Sequence, residues 1–507
     1  MKRFALLATF AFALLAAFAL SSPGAHARPK AGAVSPSPSP SAALPVATPE
    51  PPEIAIPRLQ GLLKVNPNDA AAMTQLAMQY LQINRPDLAV GLTQHLIKTG
   101  NKSAQIYYFD GAALLALGQT DAATADFEHA STLDPTNLGV LAQLTSVYLR
   151  ENRSNDAERV AKRAVTFNKN SSQAYLNLGI VYANEGHFDD ARVQFEQAAT
   201  MDPKDTEPIV QITNTYASQN NIPMALTTID RALAIDPKNV QVLVYKADLY
   251  GKQHDDAHVA PAYDDAVVAA TTDEERVEIL IRKAGYYSDS KKNDVAMQTL
   301  TQAVTTYPKV AAGHVALGDL YAQNKQISQA ELQWQAALAD DKNFGPALLR
   351  MGQDRLGSRK WDDAIGYLKH YTEVDPQDAQ GYASLGQAYS FVHDYARSRQ
   401  ACQQSFGIQR TPETLACVGG ADFELKNYKE GSQIFDALIV NANGFLQQNP
   451  TMLYVAAECW AKTNQKPKAI SALKALLMIV KKGSPEYKSL STEIASLSAP
   501  ASKKKKT

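Results

Sequence analysis

A proline returns along this chain on a 34-residue clock. It closes "KVNP" at Pro67, "TLDP" at Pro135, "TMDP" at Pro203, "AIDP" at Pro237, "TTYP" at Pro308 and "EVDP" at Pro376. Successive gaps are 68, 68, 34, 71 and 68 residues, multiples of 34 with one slip of three. Proline removes a backbone donor and disfavours helix in the residue before it. A stop at fixed intervals therefore marks the end of a repeated unit. Such units bury their apolar faces against neighbours in sequence rather than around one centre.

Within the period, apolar residues follow helical spacing. With Ser172 as position 1, Tyr175 falls at 4, Leu178 at 7, Gly179 at 8 and Tyr182 at 11. Ala191 then falls at 20, Phe195 at 24, Ala198 at 27 and Pro203 at 32. Steps of three and four put the first set on one helical stripe and the second on another. The small residues at 8 and 20 let two helices approach, and Gly186 in "NEGHF" suits the turn between them. The pattern resembles the tetratricopeptide repeat (TPR) signature, with an aromatic substitution at its first position.

The register extends to units beginning at Ala70, Ala104, Leu138, Thr206, Val240, Val277, Ala311, Gly345 and Ala379, with weaker ones near Pro412 and Pro450. The unit at Val240 is degraded and is expected to absorb the slip of three. The expected fold is all-α, an α-solenoid of about twelve helical hairpins; the resemblance implies a right-handed superhelix with first helices lining a concave groove. Six units fill residues 70–276 and six fill 277–483. Residues 53–69 fit an orphan second helix, and 484–498 a polar capping helix.

The ends read differently. Lys2 and Arg3 precede 17 apolar residues from Phe4 to Leu20, then Pro23, Gly24 and the triplet Ala25-His26-Ala27. That order is a secretory signal peptide over residues 1–27, and it predicts a periplasmic or extracellular chain. An uncleaved N-terminal membrane anchor is the competing reading, since about 20 apolar residues span a bilayer. Residues 28–52 are rich in Pro, Ser and Ala and read as a disordered tether. Residues 499–507 form a basic tail whose Lys503, Lys504, Lys505 and Lys506 offer weak contact to an anionic surface, or simply solubility. With 50 Lys+Arg against 51 Asp+Glu, nothing in the overall balance points to nucleic acid.

Catalytic and cofactor motifs are not found, and the repeats leave no length for a catalytic domain. "GQDRLGSRK" (Gly352–Lys360) imitates a phosphate loop, but Ser358 stands where the lysine belongs. His254 and His258 in "HDDAH" have the spacing of two ligands on one helix face, a weak metal candidate, although they fall where the turn of their unit belongs. A metal-dependent activity there is one alternative function; an accessory role in polysaccharide export is another. The main reading is a non-enzymatic scaffold for protein partners, of undetermined oligomeric state, with no cofactor.

The resemblance further implies that positions 2, 5, 9, 12 and 13 of each unit face the groove. Leu176, Val210, Val244, Ile281 and Val315 at position 5, with Ile180 at 9, would line it with apolar side chains, or else pack between helices. No lysine stands at position 5, which argues against the clamp for acidic C-termini found in some TPR proteins. Asn214 is the sole asparagine at position 9, which argues the same way; Gln75, Gln143, Asn177 and Gln211 at position 6 instead partly resemble the amide ladder of O-linked sugar transferases, interrupted by Phe109. Cys402 and Cys417 would fall on adjacent helices, where an export signal makes a disulfide feasible and inert thiols are the alternative.

Overall fold

The computed structural model describes residues 50–442 and 444–499, and every regular element among them is a helix. The leader, the tether as far as residue 49, and Lys503, Lys504, Lys505 and Lys506 lie outside the described residues. The described residues divide into two compact units, 50–271 and 272–499.

The first unit holds the helix Pro52–Val65 and six hairpins. These are Ala70–Gln82 with Pro86–Lys98, Ala104–Ala116 with Thr120–Leu133, and Leu138–Arg150 with Ser154–Phe167. Ser172–Asn184 with Phe188–Met201, Glu207–Ser218 with Ile222–Ile235, and Val240–Lys252 with Asp256–Ala269 complete it. The second unit continues with hairpins 7 to 12: Asp273–Asp289 with Asn293–Thr306, Ala311–Gln323 with Ile327–Asp340, and Gly345–Gly357 with Trp361–Val374. Then come Ala379–Phe391 with Tyr395–Ile408, Pro412–Glu424 with Tyr428–Asn441, Pro450–Lys462 with Lys466–Ile479, and the terminal helix Pro485–Ser498.

Each of the six spaced prolines sits two residues beyond the last residue of a helix, so the stop works as its chemistry requires. At four of these joints the residue two further on starts the next helix. Asp69, Asn137, Asn239 and Asp378 each accept a backbone N–H of the following first turn. One four-residue joint thus ends one hairpin and begins the next.

Inside every hairpin the turn is made by one residue at positive φ. Gly118 and Gly186 fill that place twice; the other ten hairpins put Asn84, Asn152, Asn220, His254, Lys291, Lys325, Arg359, His393, Lys426 and Asn464 there at φ between 55° and 64°. A non-glycine residue costs roughly 1–2 kcal/mol in that conformation. The turn is therefore imposed by the packing of the two helices it joins.

That packing depends on the small position 8. A Cβ on Gly179 would lie 2.5 Å from the Phe195 ring, and one on Gly318 would lie 2.5 Å from Trp334 Nε1. Phe127, Phe195 and Phe435 have no exposed surface, each held within clusters confined to neighbouring hairpins. The terminal helix adds Leu490, Ile494 and Leu497 to the last cluster, and the first helix buries Ala55 and Leu59 beside Leu76 and Tyr80.

Two local expectations are corrected. The hairpin at Val240 has ordinary helices of 13 and 14 residues, so it does not absorb the slip. Instead the seventh hairpin starts at Asp273 rather than Val277, in a first helix of 17 residues capped by Thr272. Asp273, Glu274 and Glu275 in its first turn favour that early start through the helix dipole. Between hairpins 11 and 12 a one-turn helix, Phe445–Gln448, is inserted after Gly444 at φ 83° and buries Leu446. This fixes the last two starts at Pro412 and Pro450.

Candidate interaction surface

Within each unit the first helices of successive hairpins touch one another directly: Leu138–Arg150 meets Ser172–Asn184, which meets Glu207–Ser218. They form one shared wall, and the predicted partner-binding residues distribute unevenly on it. Leu176 and Val315 are 5% and 8% exposed and belong to the core clusters around Phe195 and Trp334. Ile180, Val210, Val244 and Ile281 are half-buried. Ile180, Val210 and Ile281 pack against their own hairpins' cores, leaving only part of each side chain for a ligand.

The amides behave differently. Gln143, Gln211 and Asn214 are half-buried and partly open to solvent. Asn214 Nδ2 donates to Gln211 Oε1 at 3.2 Å, and Gln211 Nε2 donates to Glu207 Oε1 at 2.5 Å. Gln143 engages the Tyr108 phenol, whose pKa burial raises against the opposing effect of that hydrogen bond. Asn177 is 6% exposed; its Oδ1 accepts from Gln173 at 2.9 Å, and its Nδ2 is buried without a partner among the described residues. Asn177 thus stands within the wall; Gln75 is exposed, and the half-buried amides are Gln143, Gln211 and Asn214.

Apart from the Glu207 carboxylate that Gln211 engages, these side chains are uncharged and offer both donors and acceptors. They match the backbone of an extended peptide better than a charged group. The first helices of the second unit carry charged pairs instead: Asp319 accepts from Trp334 Nε1 at 3.1 Å and from Arg350 Nε at 2.8 Å, and Asp422 Oδ1 accepts from Arg399 at 2.5 Å. On the opposite side of hairpins 4 and 5, a cleft of about 550 Å³ is lined by Glu196, Arg192, Tyr216 and Arg231. Its cations are already engaged: Arg231 grips Glu196 at 2.7 and 2.9 Å, and Arg192 lies 4.4 Å from the Tyr216 ring centre.

His254 occupies the left-handed turn position, while His258 lies on the following helix, bonded to Asp255 at 2.6 Å and stacked on Tyr250. The two imidazoles therefore do not share a helix face. Among the described residues no three His, Cys, Asp or Glu side chains converge as a metal site. Cys402 and Cys417 are joined by a disulfide with Cα atoms 5.5 Å apart, and Cys459 is a buried thiol whose pKa burial pushes up to about 12.

Two partly buried carboxyl pairs escape the sequence reading. Asp110, 3% exposed, accepts from Thr93 Oγ1 at 2.5 Å; burial and Asp110 together push Asp126 up to about 7. Glu493 on the terminal helix meets Glu458 of hairpin 12. Asp110 did leave a signal, since it occupies position 7, where every other unit carries an apolar residue except those at Val240 and Val277, which carry Lys246 and Lys283.

Comparison with known proteins gives two matches to tetratricopeptide repeat family models, at residues 114–179 and 172–205. No curated protein matches the chain. Solved structures similar to it include a thermophilic TPR protein of Thermus thermophilus, TTC0263 (23% identity, 36% of this chain and 98% of that one, TM-score 0.31). Others are the APC/C hetero-tetramer Cut9-Hcn1 (15%, 87% and 93%, 0.37) and PilF of Pseudomonas aeruginosa (18%, 44% and 99%, 0.39). No helix among the described residues is long and apolar enough to cross a membrane.

Proposed function

This chain is a tetratricopeptide repeat protein, a protein-interaction scaffold, and from that premise we propose that it holds an extended segment of a protein partner along the first-helix wall of hairpins 3 to 5. The observation that carries this reading is the set of half-buried, uncharged amides Gln143, Gln211 and Asn214 beside the half-buried Val210. Amides of this kind read peptide backbone, and the aliphatic side chains between them read alternate partner side chains.

The test uses residues that can change without unfolding the hairpins. Gln211→Ala with Asn214→Ala is expected to weaken capture of a partner from extract about thirtyfold, at two hydrogen bonds of about 1 kcal/mol each. Val210→Arg should abolish it. Leu176→Arg is unsuitable, because it would bury a charge in the core beside Phe195. Unchanged capture by both variants, with melting temperature preserved, sinks the reading.

The same scaffold is proposed to work in the cell envelope or outside the cell. The basic, apolar and small-residue order of residues 1–27 supports this, as does the bond between Cys402 and Cys417, a pairing that persists where thiols are not kept reduced. Intact mass of the chain recovered from its source is expected to show a chain that begins at Arg28, and alkylation of the denatured chain without reductant to label Cys459 alone. A full-length, triply alkylated chain overturns the export reading.

A further inference from the structure

The last stretch of the chain is charged unlike the rest. Residues 462–507 hold eleven lysines against two glutamates, in a chain whose net charge is −1. Two of those lysines already have acidic neighbours: Lys468 binds Asp436 at 2.8 Å, and Lys462 lies beside Glu493. Lys474, Lys481, Lys482 and Lys488 are exposed and have no salt-bridge partner among the described residues. The nearest acid in sequence, Glu486, is fully exposed and engaged by the Ser484 side chain.

Apolar side chains stand out among these cations. The second helix of hairpin 12 turns Met478 and Ile479 outward, 87% and 62% exposed. Ser471, Lys474 and Met478 follow one another at steps of three and four, hence on one exposed face. Hairpin 11 repeats the feature, with Val440 at the place that Met478 holds in hairpin 12 and 79% exposed. Val268 holds the same place in hairpin 6 at 84% exposed, but it follows Asp264 and Asp265, whereas the exposed apolar pair of hairpin 12 stands between lysines.

We propose that this outer face of hairpin 12, made by Lys474, Met478, Ile479, Lys481 and Lys482, docks on an anionic phospholipid bilayer. Lysines are drawn to lipid phosphates while methionine and isoleucine enter the acyl boundary, so the two classes of side chain act on the same surface at different depths. Nucleic acid fits less well. No arginine follows Arg410, and the half-buried Tyr487 is the only aromatic residue after Trp460, so bidentate base recognition and stacking are both missing. This inference does not depend on the amide wall, which lies in the other unit.

Co-sedimentation of the exported chain with vesicles tests it. Vesicles containing phosphatidylglycerol should bind the protein in a salt-sensitive manner, and pure phosphatidylcholine should not. Lys474→Gln/Lys481→Gln/Lys482→Gln should lower the affinity on the order of 100-fold. Met478→Ser/Ile479→Ser should lower it at least roughly tenfold while leaving the salt dependence in place. All five side chains are exposed, so circular dichroism and melting temperature should match the parent. Absence of binding to phosphatidylglycerol at low salt overturns the proposal. So does binding that neither variant weakens, which would assign it to Lys503–Lys506. Equal binding to heparin, insensitive to Met478→Ser/Ile479→Ser, would assign the face to a soluble polyanion and likewise overturn it.

Discussion

Gly179 shows how much one repeated position carries. With Phe195 fully buried and the methyl of an alanine placed only 2.5 Å from its ring, there is no room for the ring to retreat. Gly179→Ala is expected to destabilise the hairpin by about 1–3 kcal/mol despite alanine's better helix propensity, because overpacking outweighs a gain of about 1 kcal/mol. Chemical denaturation of parent and variant checks this; an alanine variant more stable than the parent refutes it. The turn residues teach the converse. Lys325 and Arg359 have side chains that do not favour a left-handed backbone, yet both adopt it at φ near 60°. Their identity gave no warning of this, whereas Gly186 did.

At the scale of the element, the terminal helix Pro485–Ser498 docks through Leu490, Ile494 and Leu497 and through a carboxyl pair. Burial first, then the hydrogen bond with Glu458, push the Glu493 carboxyl up to about 8, while Lys462 pulls the other way. A carboxyl whose folded pKa lies above its unfolded value near 4.5 contributes stability that is complete below the unfolded value. That contribution is lost as pH rises through about 8, because the folded state must then carry two facing negative charges. Amide exchange of residues 485–498 should therefore be slower at pH 6 than at pH 9 after correction for the intrinsic rate. Glu493→Gln, neutral at both, should flatten the difference. A parent helix equally protected at both values argues that the pair does not govern docking.

The whole molecule inherits its behaviour from the locality of these contacts. Core clusters link neighbouring hairpins only, so stability is close to a sum of hairpin and interface contributions, and unfolding need not be one concerted step. The Gly179→Ala variant should accordingly raise amide exchange in hairpins 3 to 5 and leave hairpins 8 to 12 at parental rates. A uniform rise along the chain would contradict that locality. The same locality lets the walls of the two units differ: amides in hairpins 3 to 5, paired charges around Asp319 and Asp422 further on.

The sequence by itself determined the helical hairpin, its repetition and most of its boundaries. Those follow from short-range physics: spacings of three and four, small residues where helices cross, and a proline that cannot continue a helix. It also brought Gln143, Gln211 and Asn214 into view as wall residues, because position in a repeat fixes position on a helix. Only the tertiary structure decided how accessible those positions are. Leu176 and Val210 share one register position, yet the first is enclosed by Phe195 and Ile212 while the second keeps part of its surface. The early start of the helix at Asp273, the insertion at Phe445–Gln448 and the meeting of Glu458 with Glu493 were likewise hidden. Each depends on which side chains from separate helices compete for one volume, and periodicity along a single helix carries no information about that competition.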